Sequence, residues 1–269
     1  MRRFAPLALL LFATAARANR IADYAPEIRA AIADVTVIGT VTEIGKNPVL
    51  AKPYPTAPEP IPFAVAVVKV ESNVFGAKNV THVRVGFIPA PAMPRTLQPS
   101  LKVGQKVCLF LTKHPDATFY LMPVMSPPLE VTDASKDTLA RVKRLGPVFA
   151  QPLVALKAEK ADDRAFAAAA LLTRYRQVRF GGVTKQVPIP AEETQAILAA
   201  LADSEWTAFG TFSSATAVSL LGLSKANGYA PRQPKPGEDA LKLMRAEFKR
   251  WVAAEGKTFE VKKLVPTTK

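Results

Sequence analysis

Two consecutive prolines, Pro127 and Pro128, divide the chain into halves with different hydrophobic periodicity. Before them, short runs rich in β-branched residues alternate with proline-rich connections, a pattern typical of β-strands. After them, apolar residues recur every three or four positions, as in amphipathic helices. Because neither a helix nor a sheet continues readily through consecutive prolines, the sequence predicts a β domain of residues 19–125, a linker of residues 126–128 and a helical domain of residues 129–269.

Five strands are predicted in the first half. The run at residues 107–111 is apolar on both faces, which predicts a central strand around which the other strands are arranged. Gly39 interrupts the first strand and indicates a bulge or a tight bend. Prolines are frequent between the strands, so we expect extended connections there. The five predicted strands are residues 35–44, 63–71, 81–87, 107–111 and 119–122.

Five strands with a long first strand kinked by glycine resemble the OB-fold, including its secreted inhibitor-like variants. The resemblance covers residues 34–123 and implies a five-stranded antiparallel β-barrel. Prolines occupy the link between the third and fourth strands, where the OB-fold usually has a helix. Metalloprotease inhibitors of this fold chelate the target's metal through an N-terminal cysteine, but this chain, once processed, begins at Asn19, so that activity is not implied. A barrel followed by helices is also similar to uncharacterised secreted bacterial proteins.

The second half is predicted to fold as a small helical domain, which makes the whole chain α+β. One helix, residues 137–145, is expected to end at Gly146 and Pro147, since glycine and proline both disfavour its continuation. A strand-like run follows at residues 259–265, and the sequence leaves open which half it pairs with. The predicted helices are residues 137–145, residues 164–177, residues 191–203, a short helix capped by Ser213 and Ser214, and residues 241–252.

The N-terminus has the three parts of a signal peptide. Arg2 and Arg3 form a basic region, residues 4–13 form an apolar region, and Ala16-Arg17-Ala18 supplies a cleavage motif. The apolar region is shorter than the roughly 18 residues that a membrane-spanning helix needs, and no later segment is apolar enough to span a bilayer. The sequence therefore predicts cleavage after Ala18 and a secreted or periplasmic protein with no transmembrane segment.

Charge and cysteine content restrict the partners and the chemistry. The formal net charge is +14, which favours anionic partners such as acidic polysaccharides, cell-wall polymers or lipid headgroups. Export argues against intracellular nucleic acid as a partner. The single cysteine, Cys108, excludes an intramolecular disulfide bond. Since it lies in the most apolar predicted strand, we expect a buried thiol rather than a nucleophile.

One segment combines cations with aromatic side chains, a pattern that can bind anionic polymers through charge and stacking. The alternative is that Arg174 and Arg176 interact with the C-terminal end of a helix dipole while the aromatic residues pack inward. The candidate binding residues of this segment are Arg174, Tyr175, Arg176, Arg179 and Phe180.

The two histidines of the chain, His82 and His114, are the remaining candidate ligand-binding residues. An OB-like topology would place both near the same end of the barrel. No acidic residue stands at ligand spacing beside either of them, and the alternative is that each is an ordinary hydrogen-bonding group. We therefore assign no catalytic residue, no metal site and no cofactor from the sequence.

Three functions remain open at this point. The first is an exported, non-catalytic protein that binds or docks an unidentified ligand or another exported protein. The second is a secreted hydrolase of an unrecognised family, with its site between the two halves. The third is a binder of an anionic cell-wall or surface polymer. A deep cleft with converging polar groups would favour the enzyme.

Overall fold

The computed structural model of the protein describes residues 24–54, 57–89, 100–114, 117–123, 126–176, 184–206 and 210–267. The predicted signal peptide, with its cleavage site after Ala18, lies outside the described residues, as do Arg179 and Phe180. Within the described residues, a sheet of several strands is combined with helices, so the α+β class predicted from the sequence is confirmed.

Most strands precede residue 131 and most helices follow it. The helices are α1 (Pro26–Ile32), α2 (Lys136–Ala150), α3 (Pro152–Leu156), α4 (Ala161–Arg176), α5 (Ala191–Asp203), α6 (Ser214–Leu220) and α7 (Ala240–Glu255). The strands are β1 (Val35–Ile44), β2 (Val49–Ala51), β3 (Ile61–Phe75), β4 (His82–Phe87), β5 (Lys106–Lys113), β6 (Tyr120–Leu121), β7 (Leu129–Glu130), β8 (Thr184–Pro188) and β9 (Lys262–Pro266). Each of the five predicted strands overlaps an observed one, namely β1, β3, β4, β5 and β6.

The larger sheet is organised around β1, which pairs antiparallel with both β3 and β5. β3 also pairs antiparallel with β4, and β5 pairs antiparallel with β6. β4 and β6 run parallel, with Val85 opposite Tyr120 and Gly86 opposite Leu121. The sheet is therefore mixed, whereas the sequence predicted antiparallel strands throughout. In the strand order, β6 lies between β4 and β5.

Gly39 has the role predicted for it. The register between β1 and β3 shifts between Ile38 and Gly39, which is a bulge or an equivalent irregularity. A Cβ atom at position 39 would lie 2.2 Å from the carbonyl oxygen of Lys69. Only glycine allows the two strands to approach this closely, and the bend lets β1 contact β3 along its length and β5 over its first half.

The central strand β5 lies between two hydrophobic clusters. Val107, Leu109 and Leu111 belong to a cluster formed by the sheet alone, together with residues of β1, β3 and β4. Cys108 and Phe110 point to the opposite face, because successive side chains of a strand alternate, and belong to a cluster shared with the helices. This explains why the run is apolar on both faces.

Helices pack against one face of the sheet, the face that carries Cys108 and Phe110, which we call its outer face. The shared cluster joins Ile38 of β1 and Phe75 of β3 to the buried faces of α2, α4, α5, α6 and α7. The described residues before position 126 thus form two clusters of their own, the second a small one, and supply part of the shared cluster. The predicted boundary at residues 126–128 does not end the sheet, because β7 follows it and pairs with Val107 and Cys108 of β5.

Helix α2 continues through Gly146 and Pro147, so the predicted end at these residues is wrong. A Cβ atom at position 146 would lie 2.5 Å from the carbonyl oxygen of Val74 in β3. The glycine thus lets the helix approach the sheet, and the packing of Val142, Leu145 and neighbouring residues outweighs the poor helix propensity of the Gly-Pro pair.

The C-terminal run pairs with the helical half. β9 forms a two-stranded antiparallel sheet with β8, with Lys185 opposite Val265 and Val187 opposite Lys263. It makes no ladder with the larger sheet in the described part of the chain. Of the helices that the structure describes, none combines the length and the apolar composition required to span a membrane.

Candidate functional site

A cleft of about 440 Å³ lies beside β2, between the connection from β1 to β3 and the turn from β5 to β6. Its volume falls in the range typical of small-molecule or peptide-segment sites. We call it the β2 cleft. The residues that line it are Val49, Leu50, Ala51, Lys52, His114, Ala117, Thr118 and Phe119.

One wall of the β2 cleft is β2 itself, a strand that the sequence analysis included in an extended, proline-rich connection. Pro48 and Pro53 flank the three residues and limit the length of the strand. Its partner is the first part of β3, with Val49 opposite Phe63 and Ala51 opposite Ile61. In the centre, the Leu50 residue is 70% exposed, the most exposed large hydrophobic residue among those described.

The opposite wall depends on Phe119. Its ring packs against Phe63 with a centroid distance of 5.6 Å, and the two residues form a small hydrophobic cluster with Val65. A Cβ atom at Gly86 of β4 would lie 2.3 Å from a ring carbon of Phe119. The absence of a side chain at position 86 therefore creates the space that Phe119 occupies, and fixes the shape of this wall.

His114 joins the two walls. The backbone N–H of Ala117 donates to Nδ1 over 2.9 Å, so the proton of the neutral imidazole is on Nε2. Nε2 then donates to the carbonyl oxygen of Lys52 over 2.8 Å. The ring is buried, with its centroid 5.3 Å from that of Phe119. The histidine thus holds the β5–β6 turn against the end of β2.

The charged groups that the structure describes at the β2 cleft are cationic. Lys52 is one of the lining residues, and Arg84 of β4 donates from Nη1 to Oγ1 of Thr118 over 2.8 Å. No carboxylate is present among the described lining residues. An apolar cleft with a cationic rim favours an anionic or amphipathic ligand over a cationic one.

The second histidine of the chain is placed differently. His82 begins β4 with its side chain exposed, and its Nδ1 forms a hydrogen bond of 3.1 Å with Oγ1 of Thr81. His114 is instead bonded to Lys52 and Ala117 at the β2 cleft. Both imidazoles therefore form hydrogen bonds within the protein, which is the alternative that the sequence analysis left open. Within the described ranges, no group of three metal-ligating side chains is present.

Arg174 is directed into the structure. Its Nη1 donates to the carbonyl oxygens of Ala31, over 3.1 Å, and Ala33, over 2.9 Å, at the C-terminal end of α1. Its guanidinium also lies over the rings of Phe149, at 4.6 Å, and Phe75, at 5.2 Å. This side chain joins α1 and α4 to the outer face of the sheet.

Arg176 has the same kind of role at another helix. It donates from Nε to the carbonyl oxygen of Leu220 and from Nη2 to that of Leu221, over 2.7 and 2.9 Å, at the end of α6. Between the two arginines, the Tyr175 hydroxyl donates to Glu193, and burial together with this carboxylate raises the pKa of Tyr175. Arg174 and Arg176 lie in the last turn of α4, as that alternative requires, but the carbonyls that they contact belong to the ends of α1 and α6.

Cys108 is fully buried, as predicted. Burial raises the pKa of its thiol to about 12, which leaves almost no thiolate at neutral pH. A buried, protonated thiol is not a nucleophile.

Two further cavities lie beside α7 and share Gly228, Trp251 and Glu255. Their volumes are about 390 and 210 Å³. The indole N–H of Trp251 is already bonded to the carbonyl oxygen of Asn227 over 2.7 Å. Several carboxylates line these cavities, including Glu255 and Glu260, so they match an anionic ligand less well than the β2 cleft does.

The sequence analysis identified one lining residue of the β2 cleft as a candidate, His114, and missed the others. The missed signal is the apolar triplet Val49-Leu50-Ala51, which interrupts a proline-rich polar connection and has no helical or core role of its own. Comparison with known proteins adds no assignment: no family model matches the chain, and no curated protein or solved structure is significantly similar to it.

Proposed function

We propose that the protein is an exported, non-catalytic binding or docking protein whose ligand occupies the β2 cleft. The observation that carries the proposal is the exposed apolar strand β2 facing Phe119 across a cleft. Leu50 and its neighbour Val49, which is 37% exposed, form a contiguous apolar surface at the cleft, and contiguous exposed apolar surface is typical of interaction sites.

The position of the cleft agrees with a finer proposal about the fold, namely that the larger sheet is an OB-like barrel. In support, pairing proceeds from β1 through β3, β4, β6 and β5 back to β1, with the one parallel pair between β4 and β6. OB-folds bind ligands at the face of their second and third strands and at two neighbouring loops. The connection at residues 45–60 and the turn at residues 114–119 are the corresponding loops here.

The absence of catalysis is also part of the proposal. His114 is the only imidazole at the β2 cleft among the described residues, and its two ring nitrogens form internal hydrogen bonds with Lys52 and Ala117. A general base must reach the proton that it removes, so this geometry supports a role in positioning the walls. Export is proposed from the sequence of residues 1–18.

A comparison of two substitutions tests the docking role. Three purified proteins would be immobilised: the wild type, the Leu50→Glu variant and the Val154→Glu variant. Each would be incubated with the concentrated exported fraction of the producing cell. Val154 is a matched control, since it lies on α3 and is 65% exposed, against 70% for Leu50. Retained material would be identified by mass spectrometry and carbohydrate analysis.

The proposal predicts that material held by the wild-type protein is also held by Val154→Glu and is lost with Leu50→Glu. The substitution removes an apolar side chain from the cleft lining and places a carboxylate beside Lys52, where it would neutralise the cationic rim that attracts the ligand. Equal retention by all three proteins would contradict the proposal.

A further inference from the structure

We propose that the β2 cleft binds an extended, acidic segment of another polypeptide, which adds to the sheet as a strand alongside β2. The inference rests on the proposed function, because it names the chemistry and the binding mode of a ligand in the same cleft. It commits to a protein partner with carboxylate side chains, and not to a glycan or a nucleic acid.

The first argument is the direction of the backbone groups of Leu50. Leu50 is opposite Pro62 in the antiparallel ladder between β2 and β3. Proline has no N–H, so this pair cannot exchange two hydrogen bonds and must be a non-hydrogen-bonded pair. The N–H and C=O groups of Leu50 therefore point away from β3, toward the open edge.

The second argument is that this edge has no partner strand in the described part of the chain. β2 pairs with β3 alone. Proteins normally protect a sheet edge with charged residues or proline, or cover it with another element. Here the central residue of the edge is an exposed leucine, and prolines at positions 48 and 53 confine the unprotected edge to three residues. The edge is thus open to a short strand and closed to extended aggregation.

The third argument is the match between the cleft and a strand. An extended chain advances about 3.4 Å per residue, so three residues would cover the length of β2. Alternate side chains of the added strand would point toward Phe119 and Ala117, the apolar lining residues of the opposite wall. Acidic side chains of the segment would be attracted to Lys52 and to Arg84, which is bonded to the lining residue Thr118, and the described lining residues supply no carboxylate of their own. Binding by strand addition uses main-chain bonds for affinity and alternate side chains for specificity.

The test uses an array of N-acetylated, C-amidated heptapeptides that carry valine, leucine or phenylalanine at alternate positions. The intervening positions carry glutamate, threonine or lysine. Binding to the purified protein would be measured by fluorescence anisotropy. We expect peptides of the glutamate series to bind about tenfold or more tightly than those of the lysine series, with a difference that decreases as salt is added.

Strand addition itself is tested by removing the backbone N–H of Leu50, which would donate a hydrogen bond to the added strand. Leu50→Pro deletes an N–H that β3 does not use, and Leu50→Ala removes the side chain but keeps the N–H. Circular dichroism and thermal unfolding of both variants would establish that the sheet is retained. We expect Leu50→Pro to bind the peptides about tenfold more weakly than Leu50→Ala, which is the loss of one intermolecular hydrogen bond. N-methylation of the tightest peptide should weaken binding at alternate positions only.

Three results would overturn the inference: no peptide binding with a Kd below about 1 mM, equal binding by Leu50→Pro and Leu50→Ala, or equal sensitivity to N-methylation at every position. If Leu50→Glu still abolished the capture of a glycan or another ligand, the proposed docking function would stand and only the peptide mode would fall.

Discussion

His114 donates a hydrogen bond from Nε2 to the carbonyl oxygen of Lys52, over 2.8 Å, and so connects the β5–β6 turn to the end of β2. The two residues are far apart in sequence, and the contact closes one end of the β2 cleft. Because Nδ1 accepts from Ala117 at the same time, a single buried side chain fixes both walls.

Replacing His114 with alanine should destabilise the protein by about 1–3 kcal/mol, since it removes one hydrogen bond to each wall and the packing of the buried ring against Phe119. The free energy of unfolding in urea would measure this change. His82→Ala is the control: that side chain is exposed, and its removal should change the free energy by no more than about 0.5 kcal/mol. Equal losses in the two variants would be inconsistent with the role assigned to His114.

Gly86→Ala should displace Phe119, because the new methyl group would lie 2.3 Å from a ring carbon. The expected destabilisation is about 1–3 kcal/mol, accompanied by weaker ligand capture. Gly210→Ala provides the control, since nothing lies within 4 Å of a Cβ at that position.

The double variant Gly86→Ala, Phe119→Leu should recover part of the stability lost in Gly86→Ala, as the smaller side chain relieves the clash. Strict additivity of the two changes would mean that Phe119 and Gly86 do not interact in solution.

Arg174→Lys should lower the free energy of unfolding by about 1–3 kcal/mol although it keeps the positive charge. Lysine cannot reproduce the guanidinium contacts with the carbonyls of Ala31 and Ala33 and the rings of Phe75 and Phe149. Denaturant unfolding would measure the loss, with the exposed Lys185→Arg as the control.

The polymer-binding hypothesis for the same segment has a separate test. If Arg174, Arg176 and Arg179 bind an anionic polymer, neutralising all three should weaken binding to heparin and flatten its salt dependence. If the triple variant remains folded and binds as the wild type does, the roles of Arg174 and Arg176 at the ends of α1 and α6 suffice.

Cys108 should make stability fall at alkaline pH. Burial raises its pKa from 9.0 to about 12, so the folded state retains the proton while the unfolded state releases it. The folded thiol therefore adds stability that is fully present below about pH 9 and is lost as the pH rises toward about 12. The free energy of unfolding, measured in urea, should decline more steeply over this pH range for the wild type than for Cys108→Ala. Thiol reagents should label the native protein only as fast as it unfolds. Rapid labelling of the native protein at pH 8 would contradict the burial.

The local features of the fold could be predicted from the sequence where a single segment decides them. The bounds of β1 and α5 follow from β-branched and helical patterns, and Ser213 caps α6 through its side chain as predicted. The continuation of α2 through Gly146 could not be predicted, because its cause is the carbonyl of Val74 in a distant strand. The pairing of β8 with β9 could not be predicted either, because the two strands are far apart in sequence.

Fewer features of the β2 cleft than of the fold could be predicted from the sequence. Arginine and aromatic residues close in sequence suggested a binding surface at Arg174, but the structure places its guanidinium on the carbonyls of α1. The β2 cleft combines two connections that are separated by β3, β4 and β5. Only the histidine among its residues carries a chemical signal in the sequence, so the cleft becomes recognisable once the strands are paired.

Photo-crosslinking in the producing cell tests the central claim, that the ligand occupies the β2 cleft, and it works whatever the ligand is. A photoreactive p-benzoylphenylalanine would replace Leu50 in the cleft, Ala226 beside the cavity near Trp251, or Val154 on α3. Adducts would be detected by mass and identified by mass spectrometry. The account predicts an adduct at position 50 and none at positions 226 and 154. An adduct at position 226 or 154, with none at position 50, would contradict it.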